Sequence, residues 1–132
     1  MKKPIHTSGK RKMAVARATL KEGKGRVYIN NTNVEFLSPK ISRDRIKEPL
    51  ILAGKTAEKV NIHVTVSGGG PSGQGDAVRL AIAKALAEYD SKLRDVYLEY
   101  DRQLLVADVR RKETSKPNSQ GQARAKRQKS YR

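Results

Sequence analysis

The segment VNIHVTVS, residues 60–67, alternates apolar and polar side chains without interruption. Because successive side chains of a β-strand point to opposite faces, this pattern predicts a strand with one buried and one polar face. The glycine-rich segment GGGPSGQGD at 68–76 follows and leads into DAVRLAIAKALAEYD, where apolar residues recur at helical spacing. We expect Asp76 to be the N-cap of this helix. A strand joined to a helix in this way is typical of an α/β or α+β body.

The rest of the chain predicts a two-layer sandwich in which helices cover a small sheet. The first two predicted strands, joined through Gly23-Lys24-Gly25, should pair as a β-hairpin. From pattern alone, a crossover between parallel strands should be right-handed. The other expected elements are strands at 12–21 and 26–30, an extended piece at 34–37, a helix capped by Ser42 that Pro49 interrupts, a helix starting near Ser91, and a last strand or packed segment at 104–106.

The formal charge of +16 is distributed unevenly along the chain. Residues 1–26 carry nine Lys or Arg and one acid, and residues 110–132 again carry nine and one, whereas the middle of the chain is neutral. Cationic segments of this kind repel themselves and bury little apolar area. We therefore predict a basic N-terminal arm at 1–11, a globular body at 12–109 and an extended basic tail at 110–132, whose partner the charge itself indicates.

A polyanion is the partner that such a charge distribution fits, because it supplies counter-charge and releases condensed counterions. The tail has one aromatic residue and no apolar helical stripe, which argues against a membrane surface. Neither a helix-turn-helix nor a basic zipper is visible, so single-stranded or folded RNA fits better than a DNA groove. A DNA-coating protein is an alternative, and it should not discriminate between RNA and DNA.

The glycine-rich segment also invites a nucleotide-binding interpretation. It lacks the Lys of a Walker A loop and is not a GxGxxG turn, although it loosely resembles the loop of galactokinase-type small-molecule kinases. A carboxylate of Asp76 at the cap should repel a phosphate from the helix amides. A plain strand-to-helix crossover, close approach of bare backbone to a nucleic acid, and nucleotide catalysis therefore all stay open, in that order of preference.

Catalytic and metal chemistry find little support in the sequence. The chain has no Cys, and its histidines, His6 and His63, stand without carboxylates at ligand spacing. No sequence motif indicates a serine that is activated as a nucleophile. We expect no enzyme, no metal and no cofactor. Residues 1–4 lead into no apolar signal region, and we expect a soluble intracellular protein.

Five segments together resemble the family of the ninth protein of the small ribosomal subunit, in its archaeal and eukaryotic form. They cover nearly the whole chain in order, and the glycine-rich helix start and the terminal KSYR are the most specific pieces. Two departures are Met13, where the family usually has Thr, and Asp76, where bacterial members have a small residue. The segments are GKRKMAVARATL (9–20), GRVYINN (25–31), SGGGPSGQGDAVRLAIAKAL (67–86), LLVADVRRKE (104–113) and QARAKRQKSYR (122–132).

The resemblance implies a fold like the second domain of the fifth small-subunit protein, with a left-handed βαβ crossover. It implies a place in the head of the small subunit, bound to ribosomal RNA and to neighbouring ribosomal proteins. The tail tip should approach the peptidyl-site tRNA, through Lys129, Ser130, Tyr131 and Arg132. The residues expected to bind ribosomal RNA are Lys10, Arg11, Lys12, Arg17, Gly69, Gly70, Gly73, Gln74, Arg79, Arg110, Arg111, Lys112, Arg124, Lys126 and Arg127.

Overall fold

A computed structural model describes residues 3–36 and 40–107 of the chain. A five-stranded sheet and three α-helices make up the mixed α/β body that the sequence predicts. Short 3₁₀ turns occupy Val34–Phe36, Gly54–Lys59 and Arg102–Leu104. The strands and helices are β1 (Ile5–Arg11), β2 (Ala14–Glu22), β3 (Val27–Ile29), β4 (Thr32–Asn33), α1 (Lys40–Ala53), β5 (Val60–Ser67), α2 (Pro71–Tyr89) and α3 (Lys92–Tyr100).

The strands lie in the order β1-β2-β5-β3-β4, with β3 and β5 parallel and the other neighbours antiparallel. The predicted hairpin between 12–21 and 26–30 is therefore wrong, because β5 lies between these two strands. β2 forms a hairpin with β1 instead, through the turn at Lys12 and Met13. β5 pairs along eight residues of β2, a longer ladder than the three-residue β3 could provide.

The prediction of an N-terminal arm at 1–11 is wrong for Ile5–Arg11, which form strand β1 at the edge of the sheet. On the side of β1 that faces α2, Ile5 is the single large apolar residue, and Thr7 and Gly9 follow it. The Thr7 hydroxyl donates to the Ala81 carbonyl at 2.8 Å, and Gly9 is buried against α2. Composition does not reveal such a strand, because backbone pairing with β2 and close contacts with α2 hold it in place.

The strand at 60–67 is confirmed, with its apolar residues Val60, Ile62, Val64 and Val66 buried and its polar face outward. On the same side of the sheet, β2 buries three alanines and Leu20. Small side chains there let α2 lie close, so the core forms between the sheet and α2 with α1 beside it. The opposite side of the sheet carries no helix in the described part of the chain.

Pro49 does not interrupt α1, which continues to Ala53. Proline removes one backbone donor inside a helix, yet α1 continues through it, with Ile46 and Ala53 packed in the core on either side. The hydroxyl of Tyr97, fully buried on α3, donates to the Pro49 carbonyl at 2.8 Å. Burial raises the pKa of this phenol well above its usual value. At 104–106 the chain forms a packed segment rather than a strand, with Leu104 fully buried.

Candidate nucleic-acid interface

The β1–β2 turn and the glycine-rich segment meet at one end of the sheet. Gly68 and Gly69 have φ angles of +77° and +66°, a left-handed conformation that favours glycine. A Cβ at Gly68 would lie 2.4 Å from the carbonyl oxygen of Met13, and one at Gly69 3.1 Å from the Ala14 nitrogen. The two loops are thus in backbone contact, and a side chain would push them apart.

Helix α2 begins at Pro71, with Gly70 as its N-cap, so the expected cap at Asp76 is wrong. Proline at the first helical position has its φ already set and lacks only a donor that the helix would not use. Gly73 and Gly75 are therefore helical rather than part of a flexible crossover. Because the cap is Gly70, the Asp76 carboxylate does not lie at the helix N-terminus, where it was expected to repel a phosphate.

Asp76 instead lies between two arginines at the side of α2. Its carboxylate accepts from Nη1 of Arg45 at 3.1 Å and lies 3.7 Å from Nε of Arg11. Arg45 also donates to the Ser72 hydroxyl at 3.2 Å. These contacts fix one arginine from α1 and one from β1 beside the first turns of α2.

We define the hairpin-end cluster as Lys10, Arg11, Lys12, Arg45 and Asp76. Lys10 and Lys12 are exposed, and Arg45 retains 43% side-chain exposure despite its ion pair. Four cations face one carboxylate, so the cluster has a clear positive excess. Such a surface can bind phosphates through long-range attraction and through arginine forks.

The structure brings together only part of the predicted RNA-binding set. Lys10, Arg11, Lys12, the exposed Gly69 and Gly70, and the half-buried Gly73 lie at this end of the sheet. Gln74 is close by, but its side-chain amide donates to the Gly68 carbonyl at 3.1 Å and so closes the loop. Arg17 is exposed elsewhere, in the middle of β2 on the helix-free side of the sheet. The predicted residues from Arg110 to Arg132 lie outside the described residues.

Arg79 has a structural role that the sequence did not indicate. Its side chain is only 12% exposed and donates to Glu48 of α1 at 3.0 and 2.7 Å and to Asp101, just after α3, at 3.2 Å. The guanidinium therefore joins three helical segments. The predicted RNA contact of Arg79 would require these ion pairs to break.

Arg45 is the cluster residue that sequence reasoning missed. Four cations within eight residues of α1, from Lys40 to Lys47, were a signal that this helix carries charge. The sequence could not show that Arg45 in particular meets Asp76, since the two residues are far apart in the chain and join only through the packing of α1 on α2.

Nucleotide catalysis finds no support beside the glycine-rich segment. The cavity that borders it has a volume of about 150 Å³ and is lined mainly by apolar residues such as Ile29, Ile46 and Val78. Small-molecule sites are usually larger, at roughly 300–1,000 Å³. Within 3–36 and 40–107, no group of three or more His, Asp or Glu side chains is placed to hold a metal ion. In the same ranges, no helix is long and apolar enough to cross a membrane.

Comparison with known proteins gives one consistent answer. The family model described as ribosomal protein S9/S16 matches residues 9–132. A protein of Methanothrix thermoacetophila named small ribosomal subunit protein uS9 is 50% identical over 132 residues, covering 98% of this chain and 99% of its own length. A protein of Methanococcus maripaludis with the same name is 47% identical over 133 residues, with the same shares covered. The chain therefore belongs to the ribosomal protein S9/S16 family, which is structural rather than enzymatic.

Proposed function

We propose that this chain is a structural constituent of the head of the small ribosomal subunit, located in the cytoplasm as part of the ribosome. The observation that carries the proposal is the family match over residues 9–132, which includes the second cationic region and most of the first. In this role the body binds ribosomal RNA and neighbouring proteins, and the tail at 110–132 extends from it. The body starts at β1 rather than at residue 12.

The body binds ribosomal RNA through the hairpin-end cluster. Lys10 and Lys12 are exposed there, and the bare backbone of Gly69 and Gly70 lies beside them. A Cβ at Gly70 would meet nothing within 4 Å, so a phosphate or ribose can approach this backbone without a side chain in the way. Arginine forks and lysine point charges together fit a folded RNA backbone.

The tail carries the second half of the positive charge. Its cations are proposed to neutralise ribosomal RNA phosphates along 110–127, and its tip from Lys129 to Arg132 to approach the peptidyl-site tRNA. A segment that combines nine Lys or Arg with a single acid gains its counter-charge from RNA. The terminal cation then reaches phosphates that the body cannot.

We also infer that the body has the arrangement of the second domain of the fifth small-subunit protein. The parallel pair β3 and β5, joined through α1, is the unit in which a left-handed crossover is expected. The support is the family membership together with a sheet that carries its helices on one side.

The test starts with sedimentation of native ribosomal particles in sucrose gradients at low and moderate salt. The chain should co-migrate with the small subunit through the salt wash. Migration as a free small protein would refute the proposal.

A binding assay with a structured ribosomal RNA fragment then tests the cluster. Lys12→Ala should lower the slope of log affinity against log salt by roughly 0.7–0.9, the loss of one phosphate contact. Lys92→Ala, which removes an exposed cation at the start of α3, is the matched control and should leave the slope unchanged. Equal slopes for both variants would mean that the hairpin-end cluster does not bind RNA.

A further inference from the structure

The helix-free side of the sheet, which we term the open face, is a second polar surface that shares only Lys10 with the hairpin-end cluster. The register places one row of side chains across all five strands, at the level of His63. Four strand spacings of about 4.8 Å make this row roughly 19 Å wide. In spatial order the row consists of His6, Thr19, His63, Tyr28 and Asn33.

Three of these five side chains are aromatic rings. Tyr28 and His63 stack on each other with centroids 5.2 Å apart and planes 16° from parallel. His6 lies at the other side of Thr19, whose hydroxyl is 3.1 Å from the His6 Nδ1. Since Thr19 is small, the space above it is bounded by an exposed imidazole on each side. A planar base that stacked on the side of His63 opposite Tyr28 would lie above Thr19.

Cations lie on both sides of the row. Arg17 and Lys21 flank Thr19 along β2 at about 7 Å, two residues in either direction, and Lys10 lies farther along β1. Both flanking side chains are exposed. Among the strand positions that point to the open face in the described ranges, none is Asp or Glu.

The charge of the open face indicates which kind of partner could bind there. The tail at 110–132 carries a net positive charge, so the cations of the face repel it. Protein interfaces are built around large apolar and aromatic anchors. The strongly exposed large apolar residues of the described chain lie elsewhere, namely Met13, Phe36, Ile41, Ile51, Val96, Leu98 and Tyr100. An anionic ligand with planar groups therefore fits the open face better than the basic tail or a protein partner does.

We propose that the open face binds a single-stranded segment of RNA, with bases stacked on the ring row and phosphates on Arg17, Lys21 and Lys10. The proposal rests on the RNA-binding function proposed above and adds a second contact surface with a different mode. Stacking on rings tolerates any base, because every base has a π-face, and flanking cations hold the backbone. The face therefore selects unpaired nucleotides rather than a duplex.

The two histidines of the chain, His6 and His63, both lie in the ring row and serve as reporters. We would titrate the full chain with a mixed-sequence single-stranded RNA of about eight nucleotides, within the size range of stacking platforms, and follow the imidazole proton signals by NMR. Both sets of signals should shift upfield as bases stack. Heparin, a polyanion without bases, should produce only small shifts.

Variants separate stacking from charge. Tyr28→Ala should weaken the affinity read at His6 by about 5- to 150-fold, the range that corresponds to losing one stacked base, whereas Tyr28→Phe keeps the ring and should stay within about 2-fold. Arg17→Ala should lower the salt slope by about one phosphate contact, and Arg94→Ala, which removes an exposed cation of α3, should not. Arg17→Ala keeps the proposal testable if loss of Tyr28 weakens the sheet.

The outcomes distinguish this proposal from the proposed function. RNA that binds while the histidine signals stay unmoved would overturn the open-face site, leave the RNA-binding function intact, and point to a protein neighbour on this face. Shifts with heparin as large as those with RNA would overturn the stacking mode. An absence of any RNA binding by the full chain would remove both proposals together.

Discussion

Gly9 is the position where one added methyl group should disturb the fold most. In the native structure a Cβ at residue 9 would lie 2.2 Å from the Ala77 carbonyl oxygen and 2.7 Å from the Ala81 nitrogen. Both atoms belong to the backbone of α2, so no side chain can rotate away. Gly9→Ala therefore forces β1 and α2 apart by about 1 Å, and overpacking of this kind costs typically 1–3 kcal/mol.

Thermal and urea unfolding of the full chain, followed by circular dichroism, measure this cost. At about 4–8 °C per kcal/mol for a body of this size, the melting temperature should fall by roughly 5–20 °C. Gly73→Ala is the matched control, because its Cβ would meet Arg11 and Ala14 at the ordinary contact distances of 3.7 and 3.8 Å. Alanine is the better helix former, so this variant should be neutral or up to about 1 kcal/mol more stable. Equal stability of Gly9→Ala and the parent chain would refute the close contact of β1 with α2.

Three further predictions concern single side chains. Arg79→Met should destabilise the body by about 1–2 kcal/mol, because Glu48 and Asp101 lose a mostly buried cation. Filter binding should show unchanged RNA affinity, and a drop in affinity with stability intact would restore the predicted RNA role of Arg79. Burial raises the pKa of Tyr97, so the folded state keeps a proton that the unfolded state releases. The free energy of unfolding should therefore fall above a pH of about 10, by up to 1.4 kcal/mol per pH unit. Urea titrations at successive pH values should show that Tyr97→Phe lacks this pH dependence. Deletion of Arg132 should weaken tRNA binding to isolated small subunits, by on the order of 1 kcal/mol or less, while gradients show normal assembly; failed assembly would contradict the role proposed for the tail tip.

Strands β5 and β1 differ in how much their own sequence indicates about their structure. Residues 60–67 were predicted to the residue, because a strand with one buried face has to alternate and its eight positions leave no other assignment. The strand Ile5–Arg11 could not be predicted in this way, because it has few apolar residues and is held by pairing with β2 and by contact with α2. An alternating sequence pattern indicates a strand only where one face is buried, and a polar edge strand buries few side chains.

The candidate site shows the same division. Lys10, Lys12 and Arg17 are exposed, as expected for cations in a region with a large charge excess. Arg79 looked equivalent in the sequence, but two carboxylates from distant segments enclose it. Charge type is a local property, whereas the availability of a charge depends on what the fold places beside it.

The sequence alone determined the alternating strand, the helix that follows it, the unequal distribution of charge and the motifs of the family, because each is a property of neighbouring residues. The tertiary structure alone decided that β5 lies between β2 and β3, that Asp76 pairs with Arg45, and that three rings align across the sheet. Each of these depends on which distant segments come together. That choice is made by the combined burial and hydrogen bonding of the whole body, and no single segment carries it.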